Sequence, residues 1–267
     1  LDEEGERALD RPIGHYVTVE MPAFSDDTNM DDDCRTAISV ELGRLLPKEG
    51  LVLVVGLGNR NVTADALGTR VVERTLVTRH LGESLAREMR GRLRGVSAIA
   101  PGVLGLTGIE TAELCRGLIQ RVRPAAVVAI DALAAFDSGR ICSTIQITNT
   151  GIEPGSGVGN HRLGLTEETL GVRVIAVGVP MVVYASTIAR DAMARLMEEY
   201  HVDSGDHSEA AGRLLQQVAD GFLGNMVVTP REIDEMVLSV ADLLSEGLNR
   251  ALQPSLDEET LHTYLHA

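Results

Sequence analysis

The chain has 267 residues, of which 44% are hydrophobic but only 3% aromatic, and it carries a formal charge of −15. That length is enough for one large core without a metal or disulfide to hold it, while the acidic balance excludes the clustered Lys and Arg that a phosphate backbone requires, so no direct nucleic-acid partner is expected. No run approaches the ~20 apolar residues of a membrane span, and no basic stretch leads into an apolar signal segment, so neither a membrane partner nor secretion is expected.

In chain order, a polar opening segment leads into HYVTVEM (His15 to Met21), which alternates as an edge strand should. Asp31 to Leu46 carries Ile38, Leu42 and Leu45 at helical spacing and predicts an amphipathic helix. LVLVVGLGN (Leu51 to Asn59) reads as a buried strand running into a glycine turn, with a helix following from Ala64 to Val72. VSAIAPG (Val96 to Gly102) is the next strand, Gly108 to Val122 a helix, AAVVAIDAL (Ala125 to Leu133) another buried strand, and VRVIAVGVP (Val172 to Pro180) one more. Apolar strands separated by helices predict an α/β fold with a mainly parallel sheet covered by helices on both faces. The last third reads as helical: Ser186 to Tyr200, Glu209 to Phe222, and a long segment whose Thr229, Pro230 and Glu232 match an N-cap, a first-turn proline and the acid of a capping box. Residues 1–267 show no repeat or long linker and read as a single domain.

In a parallel sheet, catalytic groups collect at the carboxyl ends of strands. Asp65 follows the first buried strand in GLGNRNVTADALG, and Asp131 ends VVAID. On neighbouring strands the two carboxylates would share one cleft and one proton, since like charges held close do not both ionise easily. Such a pair supplies base and acid together, as water-mediated peptide hydrolysis requires. The competing reading is structural: either aspartate also suits the cap of a following helix.

Other motifs are weaker. GLGN lacks the third glycine of a dinucleotide fingerprint, since position 61 is Asn61. The stretch Thr150 to Asn160 suits a substrate-binding or site-shaping loop through Gly155, Gly157 and Gly159, as do Gly56, Gly58 and Asn59 in the first turn. Asp137-Ser138-Gly139 and Asp203-Ser204-Gly205 match the pepsin-type triplet only by accident, because that architecture is all-β. There is no G-x-S-x-G elbow and no H-E-x-x-H helix. No cofactor is expected; the alternative is a divalent metal held by Asp65, Asp131 and His161. Cys34, Cys115 and Cys142 are odd in number, far apart and without a C-x-x-C, which argues against a disulfide framework or a thiolate zinc site and for a reducing cytoplasm. For Cys142 a small buried residue is a stronger reading than a nucleophile. The four arginines between Arg87 and Arg94 read as a solvated face.

Several long segments occur together and in order: VVGLGNRNVTADALGTRVVERTLVTRHL, SAIAPGVLGLTGIET, VVAIDALAAFDSGRICSTIQITNTGIEPGSGVGNHR, VIAVGVPMVV and NMVVTPREIDEMV. They closely resemble the germination protease family over most of the chain. The resemblance implies an atypical aspartic endopeptidase on a phosphorylase/hydrolase-like α/β fold similar to that of hydrogenase maturation proteases. It implies small acid-soluble spore proteins as substrates, a spore-core location, a homotetramer, and a zymogen whose propeptide lies upstream of Leu1. The family's functional aspartates lie in its DALG and AIDALAA motifs, which here are Asp65 and Asp131. The family often carries Arg where Phe136 stands and Asp where Asn149 and Tyr184 stand.

Overall fold

The computed structural model describes residues 1–21, 28–84, 93–154, 163–199, 221, 223 and 226–265. Seven strands form one sheet: β1 (Tyr16–Glu20), β2 (Val52–Gly56), β3 (Val96–Ile99), β4 (Ala126–Ala135), β5 (Thr144–Thr148), β6 (Arg173–Tyr184) and β7 (Val227–Val228), in the order β1-β5-β6-β4-β2-β3 with β7 paired to β6. β6, β4, β2 and β3 are parallel neighbours, whereas β1, β5 and β7 extend the sheet antiparallel on the β6 side. The α/β class expected from the strand and helix alternation is the one observed; its parallel part is confined to those four strands. β5 is a short strand that the apolar pattern does not single out, and His15 to Met21 does form the edge, as β1 on β5.

The helices used below are α1 (Glu3–Leu9), α2 (Thr28–Leu45), α3 (Leu67–Glu73), α4 (Leu104–Thr107), α5 (Thr111–Val122), α6 (Glu167–Leu170), α7 (Ala185–Glu199), α8 (Ile233–Leu252) and α9 (Glu258–Leu265). Residues 52–56 of β2, 126–130 of β4 and 174–179 of β6 are apolar at every position because they are covered on both faces. Successive residues point to opposite layers. Thus Val52, Val54, Val128, Ile130, Ile175 and Val177 join a cluster with Ile38 and Leu42 of α2, Leu67 and Val71 of α3, and Val240, Leu244 and Leu248 of α8. Leu53, Val55, Val127, Ala129 and Val174 join the other, with Ala112 and Cys115 of α5. Each such buried aliphatic side chain contributes about 1.5–3 kcal/mol of transfer free energy.

The crossover from β2 to β3 runs through α3 on one face, and that from β3 to β4 through α5 on the other. Strand order therefore reverses between β2 and β4, which makes a topological switch point, the place where open α/β sheets bind ligands.

The C-terminal helix begins later than its sequence suggests. Val227 and Val228 stay extended by pairing with Tyr184 and Val183. Thr229 is thereby held in the strand's continuation, and α8 starts only at Ile233, with Glu232 as an N-cap that makes no side-chain bond. The expected apolar stripe is nonetheless the buried face: Val237, Val240, Leu243, Leu244 and Leu248 lie in the core, with Ile233 and Met236 packed against it. The helix expected over Glu209 to Phe222 falls almost wholly outside the described residues.

Two polar residues on that buried face, spaced by one turn, clamp both ends of the segment that joins α3 to β3. Asn249 accepts the Leu76 N–H and donates to the Arg74 carbonyl, both at 2.9 Å, while Gln253 accepts the Arg94 N–H and donates to the Arg94 carbonyl at 2.9 Å. Asn249 is 1% exposed, so truncation strands a buried donor and acceptor. Asn249→Ala is expected to lower the unfolding free energy by about 2–3 kcal/mol, read as a lower urea midpoint at unchanged slope. Arg94 itself donates to the Pro47 and Lys48 carbonyls, a structural use within the arginine-rich segment whose residues 87–92 lie outside the description.

Candidate active site

Asp65 is seated by a loop that closes on itself. After β2, Leu57 still donates to the Ile130 carbonyl at 2.8 Å, and Gly58 then turns the chain in the left-handed region at φ 97°. A Cβ on Gly58 would stand 1.9 Å from the Asp65 carbonyl oxygen, so only glycine fits there. The Asn59 N–H donates to Asp65 Oδ2 at 2.8 Å, and Asn59 Oδ1 accepts the Asn61 N–H at 3.0 Å. Asp65 closes the short 3₁₀ turn Thr63–Asp65, and the N-cap of α3 is Ala66. The helix-cap reading of Asp65 therefore gives way to one in which its carboxylate closes the loop from Asn59.

Asp131 sits inside a strand. β4 continues through Ala135, paired with β6 as far as Ala135↔Val183, and Asp131 itself faces Gly178. No helix begins at Ala132, so the capping alternative fails here also, and the strand is two residues longer than the expected Leu133 end. Asp131 is 5% exposed, and its Oδ1 accepts the Ala132 N–H at 2.9 Å.

Both aspartates line one cleft of about 1400 Å³ at the β2/β4 switch point. Gly58, Asn59 and Val62 border it on the Asp65 side, and the segment from Asp131 to Asp137 crosses it. Thr148, Thr150 and Gly151 to Pro154 enclose it from β5 and the loop beyond. Gly151 has φ 88°, and a Cβ there would meet the Leu165 carbonyl oxygen at 2.3 Å; the bridge between Ile152 and Leu165 requires that approach. Gly155, Gly157, Gly159 and His161, the last being the third member of the alternative metal set, lie outside the described residues. Gly56 is used differently from expectation. It does not line the cleft, and a Cβ there would stand 2.0 Å from the Gly68 carbonyl oxygen, so its bareness lets α3 pack onto β2 rather than admitting a ligand.

The remaining candidates separate by position. Asp137 accepts the Gly139 N–H at 2.8 Å, and Ser138 donates its N–H to Asp191 of α7 at 2.9 Å, a bond that holds the Asp191 carboxyl below the usual carboxylate range. The triplet is thus a turn anchored to a helix; its second copy, Asp203-Ser204-Gly205, lies outside the described residues. Cys142 and Cys115 are buried, and burial pushes each thiol up to about 11, which suppresses the thiolate a nucleophile needs. His80 is exposed beside β3 and away from the cleft.

Of the three departures from the family pattern, only Phe136 lines the cleft, and it is 74% exposed. Asn149 accepts the His15 N–H through Oδ1 at 2.8 Å, and Tyr184 ends β6 opposite Val227. Ala132 to Ala135 line the cleft without having been assigned to the site by motif reading, and Phe136, singled out only as a departure from the family pattern, joins them. Their signal is in the sequence: the apolar run does not stop at Asp131.

Relatives agree with the resemblance carried by these motifs. A protein family described as germination protease matches residues 1–221. A germination protease of Caldanaerobacter subterraneus is 46% identical over 280 residues, covering 100% of this chain and 86% of the relative. One from Clostridium perfringens strain 13 is 43% identical over the same span, and one from Bacillus cereus is 37% identical over 314 residues, again covering 86% of the relative. Among solved structures, a nickel–iron hydrogenase maturation protease from Thermococcus kodakarensis aligns with 78% of this chain and 98% of its own at 18% identity and a TM-score of 0.38, too distant to bear on the site. With relatives this similar along its whole length, the chain belongs to the germination protease family.

Proposed function

We propose that this chain is an endopeptidase that initiates the degradation of small acid-soluble spore proteins during germination, by water-mediated peptide hydrolysis on the pair Asp65 and Asp131. The observation that carries the reading is the convergence of two carboxylates, one from the loop after β2 and one from within β4, on a single cleft at the switch point. The printed names of the relatives support the proteolytic class and the germination setting.

In this mechanism the two carboxylates share one proton. The ionised group takes a proton from water as that water attacks the scissile carbonyl, and the protonated one delivers its proton to the departing amide nitrogen. Each carboxylate is oriented by a backbone N–H, from Asn59 on Asp65 and from Ala132 on Asp131. Main-chain donors of this kind cost no reorganisation as the reaction proceeds. Among the described residues no helix is long and apolar enough to cross a membrane; a setting in the spore core is part of the proposal. A homotetrameric assembly and an upstream propeptide belong to the same proposal.

The test is incubation with a purified small acid-soluble spore protein, with and without chelator, followed by mass spectrometry of the products. Chelator-resistant internal cleavage is the expected result. Cleavage abolished by chelator assigns the site to metal-assisted hydrolysis, and saturable binding without any product reduces the chain to a binding module.

A further inference from the structure

β4 is twice as long as β2, with 10 residues against 5, and the excess lies wholly on the carboxyl side, next to Asp131. The register between the two strands ends at Gly56↔Ile130, and the last rung is the Leu57 N–H on the Ile130 carbonyl. Beyond it Gly58 turns the chain off the line of β2. On its other edge β4 remains paired with β6 to Ala135, through a register shift between Leu133 and Ala134 whose extra residue, Met181, lies on β6 and not on β4. Among the described residues, no strand pairs with the β2-side edge of Ala132 to Ala135.

In a parallel ladder, residues that turn their N–H and C=O to the same neighbour recur at every second position. Ile130 turns its groups to β2, so the next to face that side are those of Ala132 and Ala134. The Ala132 N–H is already taken by Asp131 Oδ1. What faces the cleft along this edge is therefore the Ala132 carbonyl followed by the Ala134 N–H and carbonyl. Strand edges in native proteins are ordinarily guarded by charge, proline or a covering element. Here the edge carries two alanines, both partly buried and both lining the cleft.

We infer that Ala132 to Ala134 is the main-chain subsite of the enzyme: an extended segment of the substrate adds to β4 as a strand, in the place that β2 vacates. The inference rests on the peptidase reading above and specifies how that site holds its substrate. A substrate N–H donates to the Ala132 carbonyl, and a substrate carbonyl accepts the Ala134 N–H. The bound backbone then runs directly past Asp131, one residue upstream on the same strand. Recognition through the main chain takes little account of side-chain identity. At the far end of this edge the exposed ring of Phe136 meets the side chain of whichever residue emerges there.

The test is a backbone N-methyl scan of a synthetic peptide spanning a bond that the wild-type enzyme cuts, one amide at a time on both sides of that bond. Only alternate amides of an added strand reach β4, so kcat/KM is expected to fall about tenfold or more at every second position and little between them, the loss of one hydrogen bond together with the methyl's bulk. From the protein side, Ala134→Pro deletes the donor at an edge position and is expected to raise KM about tenfold. Should Ala134→Pro fail to fold, the peptide scan on wild-type enzyme decides alone. Cleavage of the parent peptide without two-residue periodicity overturns the strand-addition subsite and leaves the peptidase reading standing. If the wild-type enzyme cuts no bond from which such a peptide can be drawn, the peptidase reading falls and this subsite falls with it.

Discussion

Asp131→Asn protein is expected to lose at least about a thousandfold in cleavage rate while unfolding within a few degrees of wild type. The stability half of that expectation follows from where the residue sits. Its backbone is held in the ladder opposite Gly178, asparagine has the same shape, and the amide oxygen still accepts the Ala132 N–H that Asp131 Oδ1 accepts at 2.9 Å. The change exchanges a buried carboxylate for a neutral group, which lowers the desolvation cost of the fold. The activity half follows because an amide neither shares nor transfers the proton that the hydrolysis needs. The measurement is the initial rate of spore-protein cleavage beside a thermal melt of the same preparation. Wild-type rates from the well-folded variant would remove Asp131 from the mechanism.

Gly58→Ala is expected to act through Asp65. A Cβ at this position stands 1.9 Å from the Asp65 carbonyl oxygen and 3.1 Å from both the Asp65 carbonyl carbon and Oδ1, and the backbone is already at φ 97°. These neighbours are main chain and the carboxylate proposed to act in catalysis, so the loop from Asn59 to Asp65 must shift as a unit. A displacement of about 1 Å at a reacting group costs about a hundredfold in rate, and the left-handed strain adds about 1–2 kcal/mol of destabilisation. Gly108→Ala separates the two effects. Gly108 has φ 70° with nothing near its absent Cβ, so that variant should lose stability without losing kcat. If Gly58→Ala keeps wild-type kcat despite a lowered melting temperature, the seat of Asp65 has no part in the chemistry.

Much of the fold was legible in sequence because its signals are local. Val52 to Val55 and Val127 to Ile130 read as strands buried on both faces because every position is apolar, and the stripe from Val237 to Leu248 read as a helix because its period is helical. The first residue of α8 was not legible. Thr229, Pro230 and Glu232 carry a sound capping pattern, and it is overridden by Val183 and Tyr184, more than forty residues away, which hold Val227 and Val228 in a sheet. Asn249 and Gln253 likewise look like ordinary polar positions until the loops they clamp are in place.

For the site, the sequence by itself singled out the residues proposed to carry the chemistry: two aspartates in motifs that follow apolar strands, with glycines around the first, and a family resemblance built on those same motifs. Tertiary structure alone decided their arrangement. Strand order is a property of long-range pairing, so nothing within either motif states that β2 and β4 are neighbours or that the sheet reverses between them. Nor does local pattern separate the glycine that packs helix against strand, Gly56, from the one that seats a carboxylate, Gly58, since the difference lies in which backbone carbonyl comes within 2.0 Å of the place a Cβ would occupy. The unpaired length of β4 has the same origin. A ten-residue strand becomes an open edge beside Asp131 only because the neighbour chosen by the fold is half as long.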